Sequence, residues 1–580
     1  MSRLASNSLK WGLSLLFCLV VFLFWWRRFP QALAFQEQFQ LFLFSSDYLA
    51  SRLVEPGGVA RYVAEFLVQF YNNVVAGAAI IAFLLMLQQR LVWRLMHAAC
   101  GAWYPLSFLP SLLLWLLMGD ESVLLTTVTA LLIVTVAMLL TPGRPWARVG
   151  YAIVAIPLAY WLAGPLALLL ALYIPLRQTP EGDSPAHRIV VAGEVADILL
   201  FHFCLSASAY LLPYPFLRLV FGLGYYRYVE VLPYLLVAVA LAVLLLAVCG
   251  RWLPILRGRK ARLIAAGQVV LLTALLVTAL PGSYERRKYD LMEYDYLVRA
   301  NRWDAIVEKS SLRQPDLPMS VCATNLALAM RGELGDRAFD FFQNGSHGLL
   351  PPFERNYASL MLTGEAYFQL GLVNTAQRFA FEAMEAIPNY NKSARAVKRL
   401  VETNLVNGQY RVAAKYINML KKTVFYRNWA QRMEQLMADE KAIDAHPLYG
   451  NLRRLRLKED FLFSERELDK VCGQLFMHNS ENALARQYLI LFPLLQGDVD
   501  KFMNYAQVVQ EKAGYNPRAS QETIAYAFMQ KGEMPPAGLV PPVTVQRLRE
   551  FVSAYKSAGK NSPQVQRFKN TVWYYLTGGE

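Results

Sequence analysis

Two carboxylates, Glu37 and Asp47, stand in the stretch FQEQFQLFLFSSDYLASRL, close to Phe35, Phe39 and Phe42. A carboxyl group partly desolvated by aromatic rings has its pKa raised and can then take a proton from an attacking hydroxyl. Glu37 and Asp47 are therefore the candidate catalytic bases. The same spacing also describes a solvated charge on an amphipathic helix, and both readings stand at this level. The segment has no adjacent acidic pair and no Asp-x-Asp, so it predicts no metal site, and the sequence identifies no cofactor.

A second group is Glu194, Asp197 and His202, which fall within about two helical turns and can share a broad face. Inside a bilayer they imply a polar pathway or a paired network, because an isolated charge there costs several kcal/mol. Outside it they form an ordinary wet face. A third group, Tyr225, Tyr226, Tyr228 and Tyr234 with Arg227 and Glu230, reads first as an interfacial aromatic belt. Aromatic rings and a guanidinium also suit a sugar or a phosphate, which makes Tyr225, Tyr226 and Arg227 candidate substrate contacts.

These groups need elements to hold them, and the composition says which kind. The 580 residues are 55% hydrophobic with a mean hydropathy of +0.27, more apolar surface than one soluble domain covers. Charge is distributed unevenly: residues 1–280 carry 19 Lys or Arg and 11 Asp or Glu, and the rest of the charge follows. The chain thus divides into a transmembrane domain, 1–280, and a soluble domain, 281–580. The early basic residues sit in loops between apolar runs, so membrane topology, rather than nucleic-acid binding, accounts for a pI near 9.4. Six cysteines show no CxxC pair and the histidines no metal-ligand spacing. Cys322 and Cys472 lie in the soluble part, where a disulfide between them is conceivable but not favoured.

The run Trp11 to Trp26 follows Arg3 and Lys10 like a signal peptide but lacks a small-residue cleavage site, and Arg27 and Arg28 follow it directly. It reads as a retained first span. Further apolar stretches lie near 73–91, 103–118, 123–140, 149–176, 189–212, 233–249 and 263–280. Ala163, Gly164 and Pro165 divide 149–176 into either one bent helix or two short ones. The stretch 189–212 is either a span or an external helix. The total is seven to nine spans. Basic residues at 90, 94, 144, 148, 251, 257, 259, 260 and 262 mark cytoplasmic loops, and Gly119 to Ser122 marks an external turn. Both extreme counts are odd. With a cytoplasmic N-terminus the soluble domain emerges outside, in the periplasm of a Gram-negative cell, from the inner membrane.

Between the first two spans, Gln31 to Asn72 is too long for a simple connection. Val59, Tyr62, Val63, Phe66, Leu67, Phe70 and Tyr71 repeat at helical spacing opposite Arg61, Glu65 and Gln69, the pattern of a helix lying on a membrane surface or on a neighbouring span. Beyond 281 the apolar residues keep helical period. Gly364, Tyr367, Gly371, Ala376, Ala383 and Pro388 match the offsets of the 34-residue tetratricopeptide pattern, with weaker copies around Asn301, Gly408 and Gly497. The fold class predicted is all-α: a polytopic helical bundle followed by a tetratricopeptide-like solenoid.

A first span, an external loop of two surface helices carrying an acidic residue, more spans and a soluble external domain resemble the polytopic glycosyltransferases of the GT-C class. That resemblance covers residues 9–91. It implies catalysis by Glu37 or Asp47 on a lipid-linked sugar, often with a divalent metal, which this loop has no acidic pair to hold. With EQFQLFLF at 37–44, YYRYVE at 225–230 and a repeat tail, the whole chain is also similar to an uncharacterised family of Bacteroidetes membrane proteins with tetratricopeptide tails, which implies architecture and no reaction. The functional expectation is a membrane glycosyltransferase, with the bilayer and a lipid-linked sugar as partners. The alternative is a non-enzymatic scaffold that binds a periplasmic protein or peptide through its repeats. A transport path lined by Glu194 and Asp197 is a third reading. No nucleic-acid partner is expected.

Overall fold

The structure is a computed structural model that describes residues 3–177, 185–227, 229–388, 391–458, 467–536 and 538–578, with the side chains of 3–6, 145 and 185–194 outside the description. Tyr228 and the Glu194 side chain, both singled out above, lie outside the described residues. The chain is all-helical among the described residues, where one isolated antiparallel bridge joins Val123 and Tyr225. It divides into two units. The first comprises Met1–Tyr289 together with Pro388–Ala394 and Lys422–Tyr426; the second comprises Asp290–Ile387, Arg395–Lys421 and Arg427–Glu580.

The first unit begins with α1, Arg3–Leu23, extended by a wide turn over Phe24–Arg28. Three short helices follow: α2, Pro30–Gln38; α3, Ser46–Leu53; and α4, Gly58–Val68. Pro30 opens α2, where its fixed φ suits the first turn and its missing N–H is no loss. Ser45 caps α3 by accepting from the Tyr48 amide at 3.3 Å. The α3–α4 corner depends on glycine. Gly57 has φ +74, and a Cβ on Gly58 would fall 1.7 Å from the Arg52 carbonyl oxygen. Where the sequence predicts two surface helices, the segment thus forms three, and 40–44 is non-helical.

The remaining helices are α5, Val74–Leu95; α6, Leu109–Leu117, preceded by a tighter turn over Gly101–Phe108; α7, Thr126–Leu140; α8, Pro145–Ala163; α9, Leu168–Leu176; α10, Pro185–Leu211; α11, Phe216–Phe221; α12, Tyr234–Cys249; and α13, Gly258–Ala279. Among the described residues five helical stretches are long and apolar enough to cross a membrane: Asn7–Arg28, Val74–Leu95, Trp146–Leu176, Tyr234–Trp252 and Gly258–Gly282. Gly101–Leu117, Thr126–Leu140 and Val195–Leu211 are apolar but shorter.

The stretch 149–176 is broken at Gly164, whose φ of +70 ends α8 and turns the chain. Gly57 donates to the Tyr160 and Trp161 carbonyls, which puts that turn beside the start of α4. Arg177, just past α9, donates to the Thr141 carbonyl at the end of α7. Because α8 starts next to Thr141, α9 runs back antiparallel to it. Other contacts define the same two ends. Tyr104 donates to the Lys10 carbonyl at 2.9 Å, and a Cβ on Gly250 would lie 2.4 Å from the Met96 oxygen. At the opposite end Tyr289 donates to the Gly119 carbonyl at 2.8 Å, and Lys288 pairs with Glu121.

In the second unit helices that follow one another in the chain pack together. Tyr357–Leu370 packs on Val373–Glu385, and Leu468–His478 packs on Ala483–Leu495. In the first pair a Cβ on Gly364 would lie 3.2 Å from that of Phe379, Gly371 turns the chain at φ +92, and Ala376 and Ala383 are fully buried. Small residues therefore sit where the two helices approach most closely. Within this unit Asp295 pairs with Arg395 at 2.7 Å, and Arg399 lies 3.5 Å over the Phe368 ring. Cys322 and Cys472 are both buried and free, so the disulfide conceived for them is not formed.

Candidate functional site

The polar side of α4, which the sequence sets opposite the apolar face expected to lie on a membrane surface or a neighbouring span, is the buried side. Arg61, Glu65 and Gln69 are 3%, 1% and 7% exposed, whereas Val63 on the apolar side is 40% exposed. Helical period places Arg61 and Glu65 on one face correctly, but it does not say what covers that face. Here α3 covers it, together with Asn391 from the Pro388–Ala394 segment.

The result is a closed charge network of two arginines and two glutamates. Arg52 Nε donates to Glu65 Oε2 at 2.7 Å, Arg61 Nε to Glu65 Oε1 at 3.0 Å, and Arg61 Nη1 to Glu55 Oε2 at 2.6 Å. The Nη2 atoms of Arg52 and Arg61 both donate to Asn391 Oδ1 at 2.8 Å. Tyr48 donates to Glu65 at 2.6 Å and Tyr214, just past α10, to Glu55 at 2.7 Å. Burial alone would raise the Glu65 carboxyl, but Arg61 and Arg52 reverse this and hold it below the usual carboxylate range. Burial and then the hydrogen bond to Glu55 push the Tyr214 hydroxyl up to about 12, so it remains a donor at neutral pH. Such networks give little net stability, because desolvation offsets the attraction. Their concentration at one spot is a mark of functional sites.

One edge of the network opens into a cleft of about 450 Å³, lined by Tyr48, Ser51, Arg52, Glu55, Tyr214 and Lys392 among others. Arg52 and Lys392 bring positive charge to it. Glu55 accepts from Arg61 and Tyr214, which uses two of the four or so lone-pair sites of a carboxylate and leaves capacity for a bound hydroxyl. A second, apolar cavity of about 350 Å³ lies among α7, α9, α10, α11 and α12. The two share neighbours. Val54 and Glu55 line the polar cleft and Gly57 the apolar cavity, while α10 gives Phe201 and Leu205 to the cavity and the residues just past it, Leu212 and Tyr214, to the cleft.

Of the residues expected from the sequence, Glu37 is buried and accepts from the Tyr426 hydroxyl, which in turn accepts from Asn72 at 3.1 Å. Asp47 is exposed in the first turn of α3. Neither lines the cleft. Tyr225 and Tyr226 are buried, and the Tyr226 ring lies 4.0 Å from that of Phe39, so Tyr226 packs against the 31–72 segment. Arg227 is exposed and lies 5.7 Å over the Tyr226 ring. Asp197 is half-buried and His202 exposed beside Ser206. Neither has a described ionic partner that would mark a polar path. Among the described residues no group of three or more His, Cys, Asp or Glu is placed to hold a metal ion.

The residues that sequence reasoning missed are Arg52, Glu55, Tyr214 and Asn391. One signal was present: Arg52 and Glu55 before Pro56–Gly57–Gly58, and Arg61 and Glu65 after it, alternate in sign at spacings of three and four.

The chain matches the model described as a family of unknown function (DUF6057) over residues 6–579, and it belongs to that family. No curated protein and no solved structure matches it.

Proposed function

We propose that this member of the family of unknown function is a membrane-embedded transferase that acts on a lipid-linked sugar, with the cleft at Arg52, Glu55 and Tyr214 as its reaction site. The observation that carries this reading is a cleft bearing Arg52, Glu55 and Lys392 and, two residues further along the chain from Glu55, an apolar cavity lined by Gly57. A substrate with a phosphate-bearing head and a hydrocarbon chain needs both. Arg52 and Lys392 would face the phosphate, and Glu55, paired with Arg61, would take the proton of the attacking hydroxyl as that oxygen bonds to the sugar and the lipid phosphate leaves. Glu37 and Asp47, the acids implied by the GT-C resemblance, would then support the loop rather than react. The second unit is read as a tetratricopeptide-like solenoid, supported by its paired helices and by the small residues at their contacts.

Topology supports the same reading. Counted with the shorter apolar helices and with α8 and α9 read as separate crossings, nine described helices would alternate between the two ends of the first unit. An odd count with Arg90, Arg94, Arg144 and Arg251 at one end supports a cytoplasmic reading of that end. The helices of residues 31–72 and the second unit are then outside, on the face where lipid-linked sugars are used.

The test is transfer of radiolabelled sugar from extracted polyprenyl-phosphate-linked donors by the purified protein in liposomes. Glu55→Gln should lower the rate by on the order of 10²-fold or more with the protein still folded. No transfer by the wild type from any donor pool, or an unimpaired Glu55→Gln variant, refutes the reading. The scaffold alternative has one observation in its favour, an open groove on helix Val373–Glu385 in which Phe381 is 41% exposed. It expects Phe381→Glu to lose a partner; the transferase reading expects unchanged transfer.

A further inference from the structure

The end of the first unit opposite the cleft gathers basic groups that the proposed chemistry does not use. Arg177, just past α9, donates from Nη1 to the Thr141 carbonyl, and Arg251, just past α12, donates from Nη1 to the Arg177 carbonyl. His97, just past α5 at φ +47, lies within electrostatic range of both. Burial, then these two guanidiniums, hold its pKa below the ordinary imidazole value. Arg148, near the start of α8, also feels the Arg177 charge.

Three chain segments thus bring guanidiniums together beside His97, and among the described residues no carboxylate pairs with Arg177 or Arg251. Arg251 Nε is buried without a hydrogen-bond partner. Like charges that converge in a partly desolvated place repel unless an anion lies between them. The surroundings say where that anion comes from. Trp252, under the Arg251 guanidinium at 4.5 Å, and Trp146 are 61% and 82% exposed, and Ile255 is 64% exposed. Exposed indoles beside apolar side chains at a bundle end mark a membrane–water interface.

We propose that Arg177 and Arg251, with His97, form a binding site for a phosphate group, supplied by the headgroup of an anionic phospholipid. Guanidinium forks suit phosphate oxygens, and basic pockets between membrane helices at this level take such headgroups.

The test uses the full chain in detergent with fluorescent phosphatidylglycerol or phosphatidylcholine, and inorganic pyrophosphate as competitor. The wild type should prefer phosphatidylglycerol by about 25-fold, near 5-fold for each arginine. Arg251→Gln should lose about 5-fold, Arg251→Lys less, and the Arg177→Gln/Arg251→Gln pair nearly all of the preference. Arg251→Gln alone keeps the test decisive if the pair does not fold. Equal preference in wild type and Arg251→Gln overturns the proposal. Full competition by millimolar pyrophosphate keeps the phosphate chemistry and overturns the lipid as its source. Glu181 and Asp183, the carboxylates nearest in sequence to Arg177, lie outside the described residues. If Glu181→Gln/Asp183→Asn raises the affinity by more than about 5-fold, those carboxylates are the cluster's own partners and the proposal fails.

Discussion

Replacing Glu65 by Gln keeps the shape of the side chain and removes one negative charge from a network that is neutral when intact. Glu65 accepts from Arg52, Arg61 and Tyr48 and is fully buried. The variant leaves Arg52 and Arg61 with Glu55 as their only carboxylate in the network, so about one positive charge is buried unbalanced. Breaking a buried pair in this way costs about 3–5 kcal/mol. The loss should resist salt, because the pair is out of reach of screening ions. Asp47→Asn, an exposed change in the first turn of α3, should cost no more than about 1 kcal/mol. The sign with pH follows from the lowered pKa of Glu65. A depressed carboxyl contributes stability that is present above its unfolded value, near 4.3, and is lost as pH falls through the folded value. Thermal unfolding of the purified protein in detergent, followed by tryptophan fluorescence from pH 7 down to 3, reads both effects. Glu65→Gln should unfold at clearly lower temperature at pH 7 and lose part of the acid dependence below about pH 4.3. A variant as stable as the wild type, with the same acid limb, would refute the closed network.

Gly58→Ala should fail to give a monodisperse protein on size exclusion, since its Cβ would meet the Arg52 carbonyl at 1.7 Å. Gly150→Ala, inside α8 with nothing within 4 Å, should instead be neutral or stabilising by up to about 1 kcal/mol. Maleimide without reductant should label Cys322 and Cys472 only after denaturation, because burial pushes the Cys322 thiol up to about 12 and raises that of Cys472 as well. A denatured protein in which these two cysteines label only after reductant is added would contradict this. Asn391→Ala, which removes one oxygen shared by two guanidiniums, should destabilise by about 1.5–3 kcal/mol in the same thermal assay.

The long apolar helices were legible because length and hydropathy alone specify a segment that can cross a bilayer, and Gly364, Gly371 and Ala376 were legible because close helix contacts need small residues. The break at Gly164 was visible as a choice between one helix and two, and a positive φ decided it. The site was legible in region but not in residue. The spacing of Arg61 and Glu65 is the same for a solvated ion pair as for a buried one; the difference is Asn391, 330 positions away in the chain. Glu37 likewise meets Tyr426, 389 positions away. Pairings of that kind leave no periodic trace, so the aromatic neighbours of Glu37 stood out in the sequence while Glu55 did not.

The central claim is that the cleft beside Glu55 holds the head of a lipid-linked sugar. A photo-crosslinking amino acid at Ser51, which lines that cleft, tests it in native membranes, with the same probe at exposed Leu9 of α1 as control. Mass spectrometry of the Ser51 adduct should show a polyprenyl-phosphate-linked sugar that the Leu9 probe does not capture. Bulk phospholipid alone at both positions would contradict the account.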